Sequence, residues 1–546
     1  MRKLLVLAVV LASTLSANEI SYTSLQSGWI GTTTPIFDHG IHGEGQIIAI
    51  LDTGVDWNSC YFAEADNSKP PFNIGLPATG LASQNVDLSR RKIVAYDLLW
   101  SCDQFPGAAD CETPAMLPLY DHNERDHGTH AAGAAVGDKG TPLYHDYADS
   151  IAPGAKLIVQ DAGLSVKDVC TSRPGIGCPV NVTPALDQAY KQGARIHSNS
   201  WGDNQYQYPL TGTYTHASRD VDAFVYAHPD MLVVFNTGNY AGSTPPPASS
   251  VSTPGDAKNT LQIGGTRGAA GRGDNVVSGG LVGPTVDGRI KPDLVGPAYV
   301  TAADFLAYPN GGACPASGQP GTSWASPTIA GAAALVRQYY TDGFYPTGTR
   351  TAANALTPSA ALLKATLIAA ARAVPSRNYG TVRDVPAQPV PSAEQGWGFP
   401  VLDDALYFPG DRAKLRASDV PLSRGLAQGE SSSTQVTVNS GTPLKVVLVW
   451  TDPPGSTLVN DLDLIVKTAA GEVHYGNESL HPGERDRVNN VETVSFDAPS
   501  AGSYTIAVNA SIIASGPRQS YALVITGDLA DAQQPVPPVK RRSARH

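Results

Sequence analysis

Gly321-Thr322-Ser323-Trp324-Ala325-Ser326-Pro327 runs directly into Thr328-Ile329-Ala330-Gly331-Ala332-Ala333-Ala334-Leu335-Val336. A serine preceded by Gly-Thr and followed by a small-residue, helix-forming run has its hydroxyl at a helix N-terminus. Unpaired N–H groups and the positive end of the helix dipole favour developing negative charge there. A buried structural serine needs no such setting, whereas a nucleophile does. A nucleophilic serine in turn requires a base, and the base an orienting acid.

Upstream, Asp126-His127-Gly128-Thr129-His130-Ala131-Ala132-Gly133 is again a loop entering a small-residue helix. Further upstream, Gln46-Ile47-Ile48-Ala49-Ile50-Leu51-Asp52-Thr53-Gly54-Val55-Asp56 reads as a buried parallel strand that ends in an acid and a glycine turn. An acid at the carboxyl end of a central strand and His and Ser at two helix starts converge at the carboxyl edge of an α/β sheet. Their order along the chain is Asp, His, Ser.

With these blocks in that order, the chain resembles the subtilisin-like serine proteases over residues 20–410. Asp52-Thr53-Gly54, His127-Gly128-Thr129-His130 and the Ser323 block match three signatures, and Phe235-Asn236-Thr237-Gly238-Asn239 matches a fourth. Gly283-Pro284-Thr285-Val286-Asp287-Gly288-Arg289-Ile290-Lys291-Pro292-Asp293 and Val459-Asn460-Asp461-Leu462-Asp463-Leu464-Ile465-Val466 are similar to stretches of the oxidation-resistant alkaline branch with a C-terminal β-barrel.

The resemblance implies an α/β fold with a mainly parallel central sheet flanked by helices, followed by a small all-β jelly roll or sandwich. It implies a serine endopeptidase acting through an acyl-enzyme, with Ser323 as nucleophile, His127 as general base then acid, and Asp52 holding the imidazole. Asn239 is the expected oxyanion donor with the Ser323 N–H, and Asn236 is the competing asparagine. Ser200, Trp201, Gly202 and Gly238 are assigned to the substrate cleft, with a core position as the alternative for Trp201. His130 reads as a helix-packing histidine, Asp56 and Asp126 as turn carboxylates. No cofactor is expected for catalysis. Structural calcium is implied somewhere, with Asn460, Asp461 and Asp463 either its oxygen ligands or a turn cluster.

The chain has 546 residues, 42% apolar and 16% charged, the profile of a folded protein of more than one domain. A net charge of -11 argues against nucleic acid or an anionic membrane as partner. The expectation is a monomer acting on protein or peptide substrates. Arg2 and Lys3, the apolar Leu4 to Ala12 and the small residues up to Ala17 read as a secretory signal, so an extracellular or periplasmic location is expected. Six cysteines suit that compartment. Cys102 with Cys111 and Cys170 with Cys178 each close a short loop, whereas Cys60 and Cys314 pair only if the fold brings them together. The resemblance also implies a folding prodomain, for which the positions between Ala17 and Asp52 leave no room.

The expected organisation is a signal peptide over 1–17, a peptidase domain over 18–410, a β-sandwich over 411–529 and a Pro-rich basic tail over 530–546. Within the second segment, Trp57 to Leu119 reads as an elaborated loop beside the cleft. Strand candidates in the third are 434–438, 444–450, 463–466, 493–496, 504–508 and 521–525. Two other functions fit the same motifs: a peptide ligase or cyclase in which an amine intercepts the acyl-enzyme, and a non-catalytic binding protein on the same scaffold.

Overall fold

The structure, a computed structural model, describes residues 17–28, 33–74, 85–99, 127–140, 145–146, 148–162, 182–202, 212–240, 242, 244–267, 276–304, 314–379 and 382–530. Its helices are α1 (Ala17–Ser27), α2 (Pro35–Asp38), α3 (His127–Val136), α4 (Val182–Lys191), α5 (His216–Ala227), α6 (Thr322–Thr341) and α7 (Ala360–Ala369). The first strands are β1 (Ile47–Asp52), β2 (Phe72–Ile74), β3 (Ile93–Leu98), β4 (Lys156–Asp161), β5 (Ile196–Asn199), β6 (Leu232–Asn236), β7 (Leu261–Thr266), β8 (Val276–Ser278) and β9 (Leu294–Pro297).

These strands form one sheet in the order β8-β7-β6-β5-β1-β4-β3-β2, with β9 also on β7. All pairings are parallel except β7 with β8. Strand β1 sits between β4 and β5, so the direction of winding reverses at β1, and Asp52 is its last residue. A carboxyl end at such a switch point is where an α/β sheet offers a crevice. The continuous apolar run of β1 is explained by cover on both faces. Ile48 and Ile50 enter the core beneath α3 and α6, while Ala49 and Leu51 enter the core beneath α4 and α5.

Helix α6 is buried over nearly its whole length, and its small residues allow close approach. A Cβ on Gly331 would stand 2.3 Å from Ile151 Cγ2 and 2.8 Å from the Ala135 carbonyl of α3. The hairpin β10 (Tyr299–Ala303) and β11 (Ala316–Pro320) delivers the chain to Gly321 at the start of α6. Cys314, just before β11, is disulfide-bonded to Cys60, with Cα atoms 5.6 Å apart across 254 residues. The fold thus brings the third pair of cysteines together. The other four lie outside the described residues.

Short strands β12 (Ala371–Arg372) and β15 (Phe399–Pro400) pair with each other, while β13 (Ser376–Tyr379) and β14 (Val382–Pro386) extend the main sheet beyond β8. The remaining chain is antiparallel: β16 (Lys414–Val420), β17 (Ser431–Val438), β18 (Leu444–Val449), β19 (Asn460–Lys467), β20 (Val473–Tyr475), β21 (Val491–Phe496), β22 (Gly502–Ile513) and β23 (Tyr521–Gly527). They form two four-stranded sheets, β16-β23-β18-β21 and β17-β22-β19-β20, around a shared core. The first of these is buried on both faces. Val446, Leu448, Leu523 and Ile525 face that core, and Val447, Val449, Ala522 and Val524 join the core of the α/β part. Lys258 reaches across this contact to Asp452, both fully buried.

Candidate active site

Asp52 ends β1, and the turn that follows is built for close approach. The Thr53 N–H donates to Asp52 Oδ1 at 2.8 Å. Gly54 has φ +99, and a Cβ there would stand 2.5 Å from Asp161 Oδ2. Helix α3 abuts the same turn: the Gly128 N–H donates to Thr53 Oγ1 at 2.9 Å, and a Cβ on Gly128 would lie 1.9 Å from the Gly54 carbonyl oxygen. That contact sets His127 beside Asp52, with Nδ1 2.7 Å from Oδ1. A carboxylate only accepts, so His127 Nδ1–H donates, and in the neutral ring Nε2 then carries the lone pair.

Ser323 is the second residue of α6, so its amide has no acceptor within the helix. Its hydroxyl donates to the Ser200 carbonyl at 3.4 Å, and Ser200 Oγ donates back to the Ser323 carbonyl at 2.6 Å. The segment after β5 therefore clasps the start of α6. The Trp324 ring lies 4.8 Å from that of His127 and 4.4 Å from that of His130, which brings the helix starts of α3 and α6 together.

Asn239 is exposed, and its Oδ1 accepts from both the N–H and the hydroxyl of Thr322, each at 2.8 Å. With the oxygen so occupied, Nδ2 carries the free donors. Asn236 is fully buried and its Nδ2 donates to Thr322 Oγ1 at 3.3 Å, behind Asn239. Only Asn239 is open to a ligand. The Thr322 lock was not read from the sequence, although its place beside Ser323 was a usable signal.

The other candidates divide. Gly202 abuts Ser252, whose Oγ would be 2.7 Å from a Cβ there. Gly238 has φ +89, and its carbonyl accepts from Leu281 N–H at 3.1 Å. Trp201 is a correction: its indole is buried against Phe235 and donates to the Leu51 carbonyl at 3.1 Å, so it serves the core and not a cleft wall. His130 packs as expected, with Nε2 3.1 Å from the Val300 carbonyl, and burial pushes its pKa down to about 4. Asp56 is buried, its N–H donating to Thr129 Oγ1, and Asp126 lies outside the described residues.

In the antiparallel part, Asp461 and Asp463 of β19 and Glu492 of β21 bring carboxylate oxygens within 4.8 Å of one another. Arg487 contacts both aspartates and Arg485 pairs with Asp463 at 2.8 Å. Burial raises Asp461 to about 6 and pushes Glu492 well above the usual range. Asn460 is not part of the group, since its amide serves Ser515 and Gln519. Glu492 had no sequence signal, because it arrives from a different strand.

The Subtilase family profile (Peptidase_S8) matches residues 43–398. The chain belongs to the subtilase family. It is similar to the serine protease/ABC transporter B family protein tagA of Dictyostelium discoideum, 26% identical over 93% of this chain and 32% of that protein. The subtilisin-like protease SBT3.18 of Arabidopsis thaliana is 30% identical over 36% of this chain and 25% of that one. The chain thus spans about a third or less of these relatives' lengths. Among solved structures, the serine protease of Aeromonas sobria is 15% identical with a TM-score of 0.40, covering 94% of this chain and 96% of that one. Fervidolysin from Fervidobacterium pennivorans is 17% identical with a TM-score of 0.42, covering 87% of this chain and 60% of that one.

Proposed function

We propose that this chain is a serine endopeptidase in which Asp52, His127 and Ser323 form the triad and Asn239 serves the oxyanion. The observation that carries the reading is the 2.7 Å bond between His127 Nδ1 and Asp52 Oδ1 at the end of the central strand. Ser323 Oγ swings from the Ser200 carbonyl to attack the scissile carbonyl carbon and gives its proton to His127 Nε2. Asn239 Nδ2 and the Ser323 N–H then donate to the oxyanion. His127 passes the proton to the leaving amine, and water repeats the sequence on the acyl-enzyme. The substrate lies extended along the backbone of Ser200 to Gly202, adding a strand.

The same reading takes the protein as a secreted monomer acting on proteins or peptides, with no cofactor in the chemistry. Asp461, Asp463 and Glu492 would seat a structural cation such as calcium, whose charge would offset three buried carboxylates. The test uses denatured protein as substrate. Wild type should cleave it and be stopped by a sulfonyl fluoride that attaches to Ser323. Ser323→Ala should stay folded and inactive, and appreciable turnover by that variant would refute the assignment. Mass analysis of products separates hydrolysis, which leaves free termini, from ligation, which joins them.

A further inference from the structure

Trp324 follows Ser323 and is 4% exposed, yet its Nε1–H is buried with no hydrogen-bond partner. Trp201, Trp397 and Trp450 each place the same N–H on an oxygen at 2.9–3.1 Å, and among the described residues only Trp57 shares the lack. A buried N–H left unpaired is costly, so a position that keeps one calls for an acceptor that arrives later.

The surroundings show where that acceptor would sit. Gly321 has φ +154 and ψ 151, a conformation open to glycine, and leaves a space in front of α6 where a side chain would otherwise stand. Trp324 Nε1 lies 3.4 Å from the Cβ position at Gly321, and Asn239 Nδ2 lies 3.6 Å from the same point. Asn239 Oδ1 is also near, at 3.7 Å, but it is already taken by Thr322. Two side-chain nitrogens that carry N–H groups therefore lie within 3.6 Å of one point beside the helix N-terminus that carries Ser323, and that of Trp324 is closed to solvent before a ligand arrives.

We infer that Trp324 Nε1–H is a second side-chain donor to the oxyanion, acting with Asn239. The inference rests on Ser323 being the nucleophile. As Ser323 Oγ bonds to the carbonyl carbon and its proton moves to His127 Nε2, the π pair of the carbonyl collapses onto oxygen, and both N–H groups donate to it. No bond to the indole forms or breaks. The ring keeps its contacts with His127 and His130, so the arriving oxygen has only to open the space beside Nε1, which is closed to solvent in the free protein.

Trp324→Phe preserves an aromatic ring and removes the donor. In the full chain, kcat on a peptide anilide should fall about 10- to 100-fold with KM nearly constant. The inhibition constant of a peptide aldehyde, which forms a tetrahedral adduct, should rise by a similar factor, and the pH profile should not move. Unchanged kcat and aldehyde affinity would overturn the inference, as would a shifted pH profile, which would make the ring a support for His127. A measurement on unmutated protein guards against misfolding of the variant. With 15N-labelled tryptophan, one indole N–H resonance should move downfield on adding the aldehyde, and its staying in place counts against the donor. Stoichiometric sulfonyl fluoride labelling of Ser323 is read in parallel. Its absence in wild type removes the nucleophile itself, an outcome separate from the failure of the donor.

Discussion

Gly128→Ala is the sharpest test of how the crevice is held. The added Cβ would lie 1.9 Å from the Gly54 carbonyl oxygen, a backbone atom that no rotamer change can clear. A carbon approaches such an oxygen to no less than ~3.3 Å, so α3 and the turn after β1 must part by ~1.4 Å. The ring of the preceding His127 moves with the helix, and its 2.7 Å bond to Asp52 is the first to lengthen. A displacement near 1 Å at a catalytic group costs about 10² in rate, so kcat on a peptide anilide should fall at least about 100-fold. KM should change much less, because the segments proposed to hold substrate, Ser200 to Gly202 and Gly238, lie on other elements. Melting temperature and near-ultraviolet circular dichroism, recorded on the same sample, separate a displaced helix from an unfolded chain. A well-folded Gly128→Ala protein with wild-type kcat would refute the idea that this contact sets the His127 position.

Asn239→Ala should lower kcat by about 10²–10³ with little effect on KM, whereas Asn236→Ala should mainly lower stability; steady-state kinetics in which Asn236 gave the larger kcat loss would reverse the assignment. Reducing the Cys60–Cys314 bond releases a 254-residue loop and should cost up to about 5 kcal/mol in a denaturant titration, and an unmoved midpoint would show the link to be dispensable. His130 has its pKa depressed to about 4 from 6.5, so its neutral form stabilises the fold fully above pH 6.5 and that contribution fades as pH falls towards 4. The loss is roughly 3 kcal/mol, and melts between pH 7 and 4 should be flatter for His130→Gln than for wild type, parallel curves counting against it. A chelator should lower the melting temperature while initial rates in the cold hold, and Asp463→Asn should remove that response; a melting temperature indifferent to chelator would leave the carboxylates to Arg485 and Arg487 alone.

The α/β sheet and the residues of the crevice were legible in sequence because each carries a local signal. Strand β1 shows a continuous apolar run, and the two helices begin with small residues where backbones nearly touch. The antiparallel strands were legible as well, from alternation between turn residues, though β16 and the three-residue β20 were not anticipated. What sequence hid was set by tertiary contact. Trp201 is open to a cleft or a core reading in sequence, and its N–H on the Leu51 carbonyl decides for the core. The Thr322 lock on Asn239 and the meeting of Glu492 with Asp461 depend on residues distant in the chain. No periodicity reports those.

The sheet β16-β23-β18-β21 faces apolar cores on both sides, and Lys258 finds its counter-charge on Asp452 from the antiparallel part. The seam visible in the composition of the chain is therefore not a seam in the solid. Cutting the chain before β16 would bare the apolar surface around α7 and strand a buried ammonium, a loss of about 3–5 kcal/mol for the charge alone. In engineering terms, the C-terminal sheets are less an appendage than an organ. They cannot be shed, exchanged or grafted elsewhere without rebuilding the face they cover on the half of the molecule that carries Ser323.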